Sequence, residues 1–428
     1  MSRIRTGRAN VSHGNILSRS RTQCEGVDLV MSHRVLRILV IKYGVVGLKS
    51  PYLESSTFIP LAELARRGHQ VTFFAPATSK STQRRTVPGF NLEPVILPRE
   101  VSVLSLVFFE FVAFWRLLKS VARSDVVILD PRSVPMLFPV LLLRRSCSHN
   151  PVLMLHIESN IVFEGALLYA LSMKLLDALS TKLASILFDK VLFISPMMGA
   201  LYNEMYGIPT GKIALWSSSV EPSFANFADD TKAALLRKEL GLEGRFGFLY
   251  HGALSKRRGT IELVEAFRIL KERSVKATLV LLGYGPQREA ISRYVRFHHL
   301  EDVVKLRGPV DYSEVPSYIA ACDVGIVPLP DNIRWRYQCP IKILENLAMN
   351  KPLIVSDLPA HRWIIGNEPV AVYLKGTDAS AIVNGVCTFL RSPNGLDPTR
   401  GKKIVQERFT PEKIADTLES QILDSRLC

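Results

Sequence analysis

The feature that most constrains this 428-residue sequence is one alternation, written through it twice. Short β-branched apolar runs are followed by segments with helical spacing. Arg37-Ile38-Leu39-Val40-Ile41 is such a run, 58–67 then carries an amphipathic helical period that stops at Gly68-His69, and 71–74 is apolar again. Runs at 125–129, 152–157, 190–194 and 213–216 continue the pattern. A polar stretch at 226–232 interrupts it as a linker, after which it restarts at 246–250, 277–282, 303–306, 324–327 and 353–355. Continuous rather than alternating apolar runs belong to strands covered on both faces, and regular strand–helix alternation builds a parallel sheet between layers of helices.

Two doubly wound α/β domains are therefore expected, Rossmann-like and facing across a cleft. The first spans 34–222 and the second 223–408, with a terminal helix in 409–428 returning to the first domain. A chain of this length exceeds what one core usually supports. Residues 1–33 are rich in Arg and Ser and lack the apolar stretch of a secretory signal, so they are expected to be a disordered basic tail outside the fold, whether translation starts at Met1 or Met31. Ligands of such sheets sit at the carboxyl ends of the strands.

A formal charge of +15 calls for an anionic partner, with nucleic acid, acidic lipid and phosphorylated substrates all open at this level. Six scattered cysteines without a C-x-x-C pair suggest neither a zinc site nor a disulfide framework, and a reducing cytosol is the simpler expectation. The most apolar stretch, 101–118, has Glu110 at its centre and Arg116 near its end. Ionised groups there make a bilayer span costly, which leaves a buried helix of the first domain or a contact with a membrane surface.

Several common motifs are absent. No G-x-G-x-x-G follows the first strand, GIPTGK at 207–212 is too short for a phosphate-binding P-loop, and no Asp-x-Asp pair offers a metal–diphosphate clamp. The informative stretch begins at Tyr250-His251-Gly252-Ala253-Leu254-Ser255-Lys256-Arg257-Arg258-Gly259. It continues through Gly283-Tyr284-Gly285-Pro286, Leu306-Arg307-Gly308-Pro309-Val310 and Ala320-Ala321-Cys322-Asp323-Val324. It ends on Pro340-Ile341-Lys342-Ile343-Leu344-Glu345-Asn346-Leu347-Ala348-Met349-Asn350-Lys351-Pro352. As a set, these resemble the retaining glycosyltransferases of the GT-B fold in glycosyltransferase family 4. Glu54, Arg67-Gly68-His69, Ser195 and Val220-Glu221 follow the same family more loosely, so the resemblance covers about 34–425.

The resemblance implies transfer of a hexose-type sugar from a UDP- or GDP-sugar to a hydroxyl of a glycan or lipid-linked acceptor, in cell-surface polysaccharide or glycoconjugate synthesis. It implies no metal, no other cofactor and no nucleic-acid partner. Cysteine usage, the basic charge and the apolar stretches 101–118 and 136–145 suggest a cytoplasmic location, or a peripheral one on an anionic membrane face. His156, Arg258 and Lys342 take the catalytic positions. Gly252, Arg258, Gly283, Val310, Lys342 and Glu345 take the donor-nucleotide positions, and Glu54 belongs to the acceptor-side loop. The chain departs from the family pattern at Tyr337, where the first carboxylate of an E-x7-E pair would stand, and at Ala253, Pro51-Tyr52 and Ser219. A catalytically inactive binding partner, or a sugar-nucleotide epimerase of the same fold, would carry much the same motifs.

Physical chemistry offers each residue a second account. Lys342 falls in the first turn of a helix opened by Pro340, where the macrodipole disfavours a cation; a docked anion reverses that, and a pair with Glu345 three residues on is the alternative. Arg258 can grip phosphate oxygens bidentately or be one solvated residue of a basic loop. Glu345 binds ribose hydroxyls or sits on a solvated helix face. His156, at a strand end, meets the donor sugar or is hydrogen-bonded in a domain interface.

Overall fold

The computed structural model describes residues 34–42, 54–77, 88–97, 103–142, 150–158 and 167–427; the tail 1–33 and the Pro51-Tyr52 departure lie outside them. In the first half, β1 (Arg37–Ile41), α1 (Ile59–Arg66), β2 (Gln70–Ala77), β3 (Phe90–Ile96), α2 (Val103–Ser120), β4 (Val126–Leu129), α3 (Val134–Leu142) and β5 (Val152–Ile157) follow one another. Then come α4 (Leu167–Leu187), β6 (Lys190–Phe193), α5 (Pro196–Tyr206) and β7 (Ile213–Leu215). The second half runs α6 (Asp230–Glu239), β8 (Phe246–His251), α7 (Thr260–Glu272), β9 (Ala277–Leu282), α8 (Arg288–Phe297), β10 (Val304–Arg307), α9 (Val315–Ala321) and β11 (Val324–Val327). It closes with α10 (Ile341–Ala348), β12 (Leu353–Ser356), α11 (Pro359–Ile365), β13 (Ala371–Leu374), α12 (Ala379–Arg391), α13 (Thr399–Arg408) and α14 (Pro411–Leu427).

The strands form two parallel sheets, ordered β3-β2-β1-β4-β5-β6-β7 and β10-β9-β8-β11-β12-β13. Each therefore reverses direction once, between β1 and β4 and between β8 and β11, and such switch points open the crevices where ligands bind. Successive residues face opposite layers: Ile38 and Val40 join one apolar cluster, Leu39 and Ile41 another.

Two strands were not legible as runs. In β3 the apolar residues are broken by Asn91, Glu93 and Pro94, and the strand survives as an edge, where a residue without an N–H is tolerated. β13 is the opposite edge of the second sheet and is largely half-buried. The stretch read as a linker is not free chain: a 3-10 turn at Pro222–Phe227 buries Phe224, and Asp229 caps α6.

The helical stretch read at 101–118 is α2, and it has two faces. Phe109, Ala113 and Leu117 are buried with Glu110, whose carboxylate accepts from Ser133 Oγ at 2.9 Å, whereas Phe108, Phe111 and Trp115 are exposed. Among the described residues, no helix is long and apolar enough to cross a membrane. The last helix, α14, inserts Ile414, Ala415, Leu418 and Ile422 into the cluster around β1 and α1. Its Glu419 accepts from Arg67 Nη1 at 2.7 Å and lies 2.8 Å from His69 Nε2.

Candidate active site

β8, β9 and β10 end in register, with His251 opposite Leu282 and Leu282 opposite Arg307. The loops that follow meet at two glycines. Gly252 has φ +124°, and a Cβ there would stand 3.0 Å from Lys342 Nζ; Gly283 has φ +145°, and a Cβ there would stand 2.1 Å from the Gly252 carbonyl oxygen. Any side chain at either position would separate the loops or displace the lysine. Val310, beyond β10 on the edge of the sheet, is partly buried against the apolar core.

α10 begins after Pro340 and is buried along its whole length. Lys342 Nζ lies 4.0 Å from the centre of the Tyr250 ring, and among the described residues no hydrogen-bond acceptor reaches it. Burial, and then the nearby charge of Arg258, push its ammonium well below the usual lysine value, with Glu345 acting in the opposite direction. The Lys342–Glu345 pair considered above does not form. Nor is Glu345 solvated: it is buried, and its Oε2 lies 2.6 Å from His251 Nε2, where a carboxylate accepts the ring N–H.

Arg258 stands in a 3-10 turn, half-buried, with its guanidinium carbon 4.9 Å from the centre of the Trp335 ring. Trp335 Nε1 donates in turn to the Arg257 carbonyl at 2.6 Å, so the turn and the segment before α10 are joined. Tyr250 donates to the Ala253 carbonyl, and burial raises its phenol to about 12 although Arg258 opposes the shift. Arg258 and Lys342 thus place two cations around one crevice at the switch point of the second sheet. One of them is buried without an acceptor, beside the N-terminus of α10. An anion docked there would satisfy both the ammonium and the helix end.

The first sheet faces this crevice with a second cluster. His156, at 1% exposure, stacks on Trp216 at 4.2 Å and 8°, and among the described residues neither ring nitrogen finds a hydrogen-bond partner of good geometry. Burial, followed by the charge of Lys42, holds His156 well below the usual imidazole value, so the ring is neutral. Its Nδ1 lies 3.8 Å from Glu158 Oε1, which accepts from Lys42 Nζ at 2.8 Å and from Thr57 Oγ1 at 2.7 Å.

Three contacts tie the segment before α10 to the first sheet. Ser195 Oγ donates to the Tyr337 carbonyl at 2.6 Å, Ser218 Oγ to the Cys339 carbonyl at 3.2 Å, and Gln338 Nε2 to the Glu158 carbonyl at 3.3 Å. Glu54 opens the short turn Glu54–Phe58 that also carries Thr57.

The structure thus gathers Gly252, Gly283, Arg258, Lys342 and Glu345 in one crevice, places His156 on the facing sheet and packs Val310 against the apolar core. Sequence reasoning missed His251, Trp335, Lys42, Thr57 and Glu158. Lys42, the first polar residue after β1, carried a usable signal, because strand ends at a switch point line the crevice; Thr57 and Glu158 carried none. Among the described residues, no group of three or more His, Cys, Asp or Glu comes together to hold a metal ion.

Two doubly wound sheets, with a cation-bearing crevice on the second facing the carboxyl edge of the first, make up the GT-B architecture. Residues 61–224 match the family described as Glycosyltransferase Family 4, and residues 245–392 match Glycosyl transferases group 1. The chain belongs to family 4 of the GT-B glycosyltransferases. It is 28% identical over 116 residues to TuaH of Bacillus subtilis, a glycosyltransferase named for teichuronic acid biosynthesis, covering 24% of this chain and 29% of TuaH. It is 24% identical over 152 residues to the amylovoran biosynthesis glycosyltransferase AmsK of Erwinia amylovora, 35% of each chain. The matched segments thus span about a third of these relatives. The fold superposes on Anabaena HepE, solved in complex with UDP, with a TM-score of 0.70 at 13% identity, over 91% of this chain and 100% of that one.

Proposed function

We propose that this chain transfers a hexose-type sugar, with retention of configuration, from a UDP- or GDP-sugar to a hydroxyl of a glycan or lipid-linked acceptor in cell-surface polysaccharide synthesis. One observation carries the reading: the Lys342 ammonium is buried without an acceptor, next to a second cation, at a strand switch point. That is a cost to the folded chain, and it is reversed when a diphosphate binds. The names of TuaH and AmsK support a polysaccharide role, and the UDP held by HepE supports a uridine nucleotide.

In this reading Arg258 and Lys342 hold the diphosphate and stabilise the charge it gains as the C1–O bond to phosphate breaks. The acceptor oxygen bonds to C1 from the same face, and its proton passes to the departing phosphate oxygen. No protein nucleophile and no metal is required. Glu345, aimed by His251, accepts from the ribose hydroxyls. Neutral His156 offers one donor and one acceptor to the sugar.

The lipid-linked acceptor draws support from a surface of the first half. α2, α3 and α4 pack side by side and expose Phe108, Phe111, Trp115, Leu142, Leu175, Leu179 and Ile186, with Lys119, Arg123 and Lys182 also exposed. Apolar side chains among cations suit an anionic interface.

The test is a thermal melt with UDP and GDP, followed by product analysis with the matching nucleotide sugars. The midpoint should rise with one nucleotide, and the anomeric configuration of the product should match that of the donor. A chain that binds neither nucleotide removes the reading. Binding with an altered sugar nucleotide, and no transfer, replaces it with an epimerase.

A further inference from the structure

An ion pair withdrawn from water is seldom a net source of stability, because desolvation offsets the Coulomb gain. Lys42 and Glu158 form such a pair at the switch point of the first sheet, assembled from three separate places. Lys42 follows β1, Glu158 follows β5, and Thr57 comes from the turn before α1. The pair is uneven. The Lys42 side chain is 2% exposed and the Glu158 side chain 21%, so the carboxylate is the more accessible end. Burial pushes the Glu158 carboxyl up, but Lys42, by charge and hydrogen bond, and Thr57 outweigh it and keep the group ionised at neutral pH.

Its neighbours are those of a sugar site. His156 lies flat on Trp216 beside it, with its Nδ1 3.8 Å from Glu158 Oε1. Across the cleft, Tyr337-Gln338-Cys339 supplies no carboxylate. Gln338 holds the Glu158 carbonyl, and Lys342 stands four residues further on, at most ~14 Å along the chain. We propose that Glu158, anchored by Lys42 and Thr57, is a specificity-determining ligand for the hydroxyls of the transferred sugar, a contact made from the first domain to a donor whose diphosphate sits on the second. This rests on the nucleotide-sugar reading above.

The experiment separates the two. Wild-type protein is titrated calorimetrically with UDP and GDP, then with UDP-glucose, UDP-N-acetylglucosamine, UDP-glucuronic acid and GDP-mannose. Failure to bind either bare nucleotide overturns the functional reading itself. Where a nucleotide binds, one attached sugar should tighten binding, and Glu158→Gln should remove about tenfold or more of that gain while bare-nucleotide affinity stays the same. If Glu158→Gln fails to fold, Lys42→Met/Glu158→Gln removes the buried charge together with its partner, and the same loss is expected. A sugar increment that survives in the folded variant, or a wild type that gains nothing from any attached sugar, overturns the assignment of Glu158.

Discussion

Lys342→Met separates a binding residue from a structural one because its two effects have opposite signs. The change keeps the apolar stem over Tyr250 and removes a buried donor that no acceptor reaches. An unsatisfied buried polar group costs ~1–3 kcal/mol, and the lost cation–π contact offsets ~0.5–2 of that, so the nucleotide-free variant should gain about 1 kcal/mol. For a domain of this size that raises Tm by ~2–4 °C. Nucleotide affinity should fall by ~1.5–3 kcal/mol, roughly 10- to 150-fold. At a UDP concentration 100 times the wild-type Kd, stabilisation by ligand would drop from ~2.7 kcal/mol to ~0.4 kcal/mol for a 100-fold loss.

Differential scanning calorimetry with and without UDP reads both effects. The pH dependence adds a third. Burial lowers the folded-state value of Lys342, so the unfolded chain binds the extra proton between that value and the ordinary one. Stability therefore rises with pH across this window, by at most ~1.4 kcal/mol per pH unit, and the variant loses that slope. A bound diphosphate favours the charged amine and raises its pKa again, so wild-type UDP binding should take up protons and weaken as pH rises within this window. A variant that melts below wild type without nucleotide yet keeps its UDP shift would show that Lys342 is structural.

Glu345→Ala should weaken UDP binding by ~1.5–3 kcal/mol in calorimetry with the fold intact, and unchanged affinity removes Glu345 from the site. Arg258→Ala should lower kcat more than it raises the donor KM, because the charge it meets grows in the transition state; a change in KM alone would limit it to holding the donor. The protein should co-sediment with anionic vesicles at low salt, less at high salt and not with neutral vesicles, since lipid attraction is screened and core packing is not. A protein that stays in the supernatant throughout loses the membrane proposal.

Much of the fold was legible because parallel strands buried on both faces must be continuous apolar runs, as in Val126–Leu129 and Val152–Ile157. The edge strands β3 and β13 were not, since one side of an edge needs no burial and tolerates Asn91, Glu93 and Pro94. Glycines 252 and 283 and the helix carrying Lys342 and Glu345 could be read locally, because turn, cap and helix start are properties of a few adjacent residues. What those residues touch could not. Whether Lys342 pairs with Glu345 or stands over Tyr250, and whether Glu345 meets water or His251, depends on side chains 92 to 94 residues away, brought together by the order β8-β11. The joining of Lys42, Thr57 and Glu158 spans up to 116 residues and three elements. Periodicity is a local property and can place each residue on its strand or turn. Only closure of the sheet, by hydrogen bonds between strands distant in sequence, decides which strand ends share a cleft.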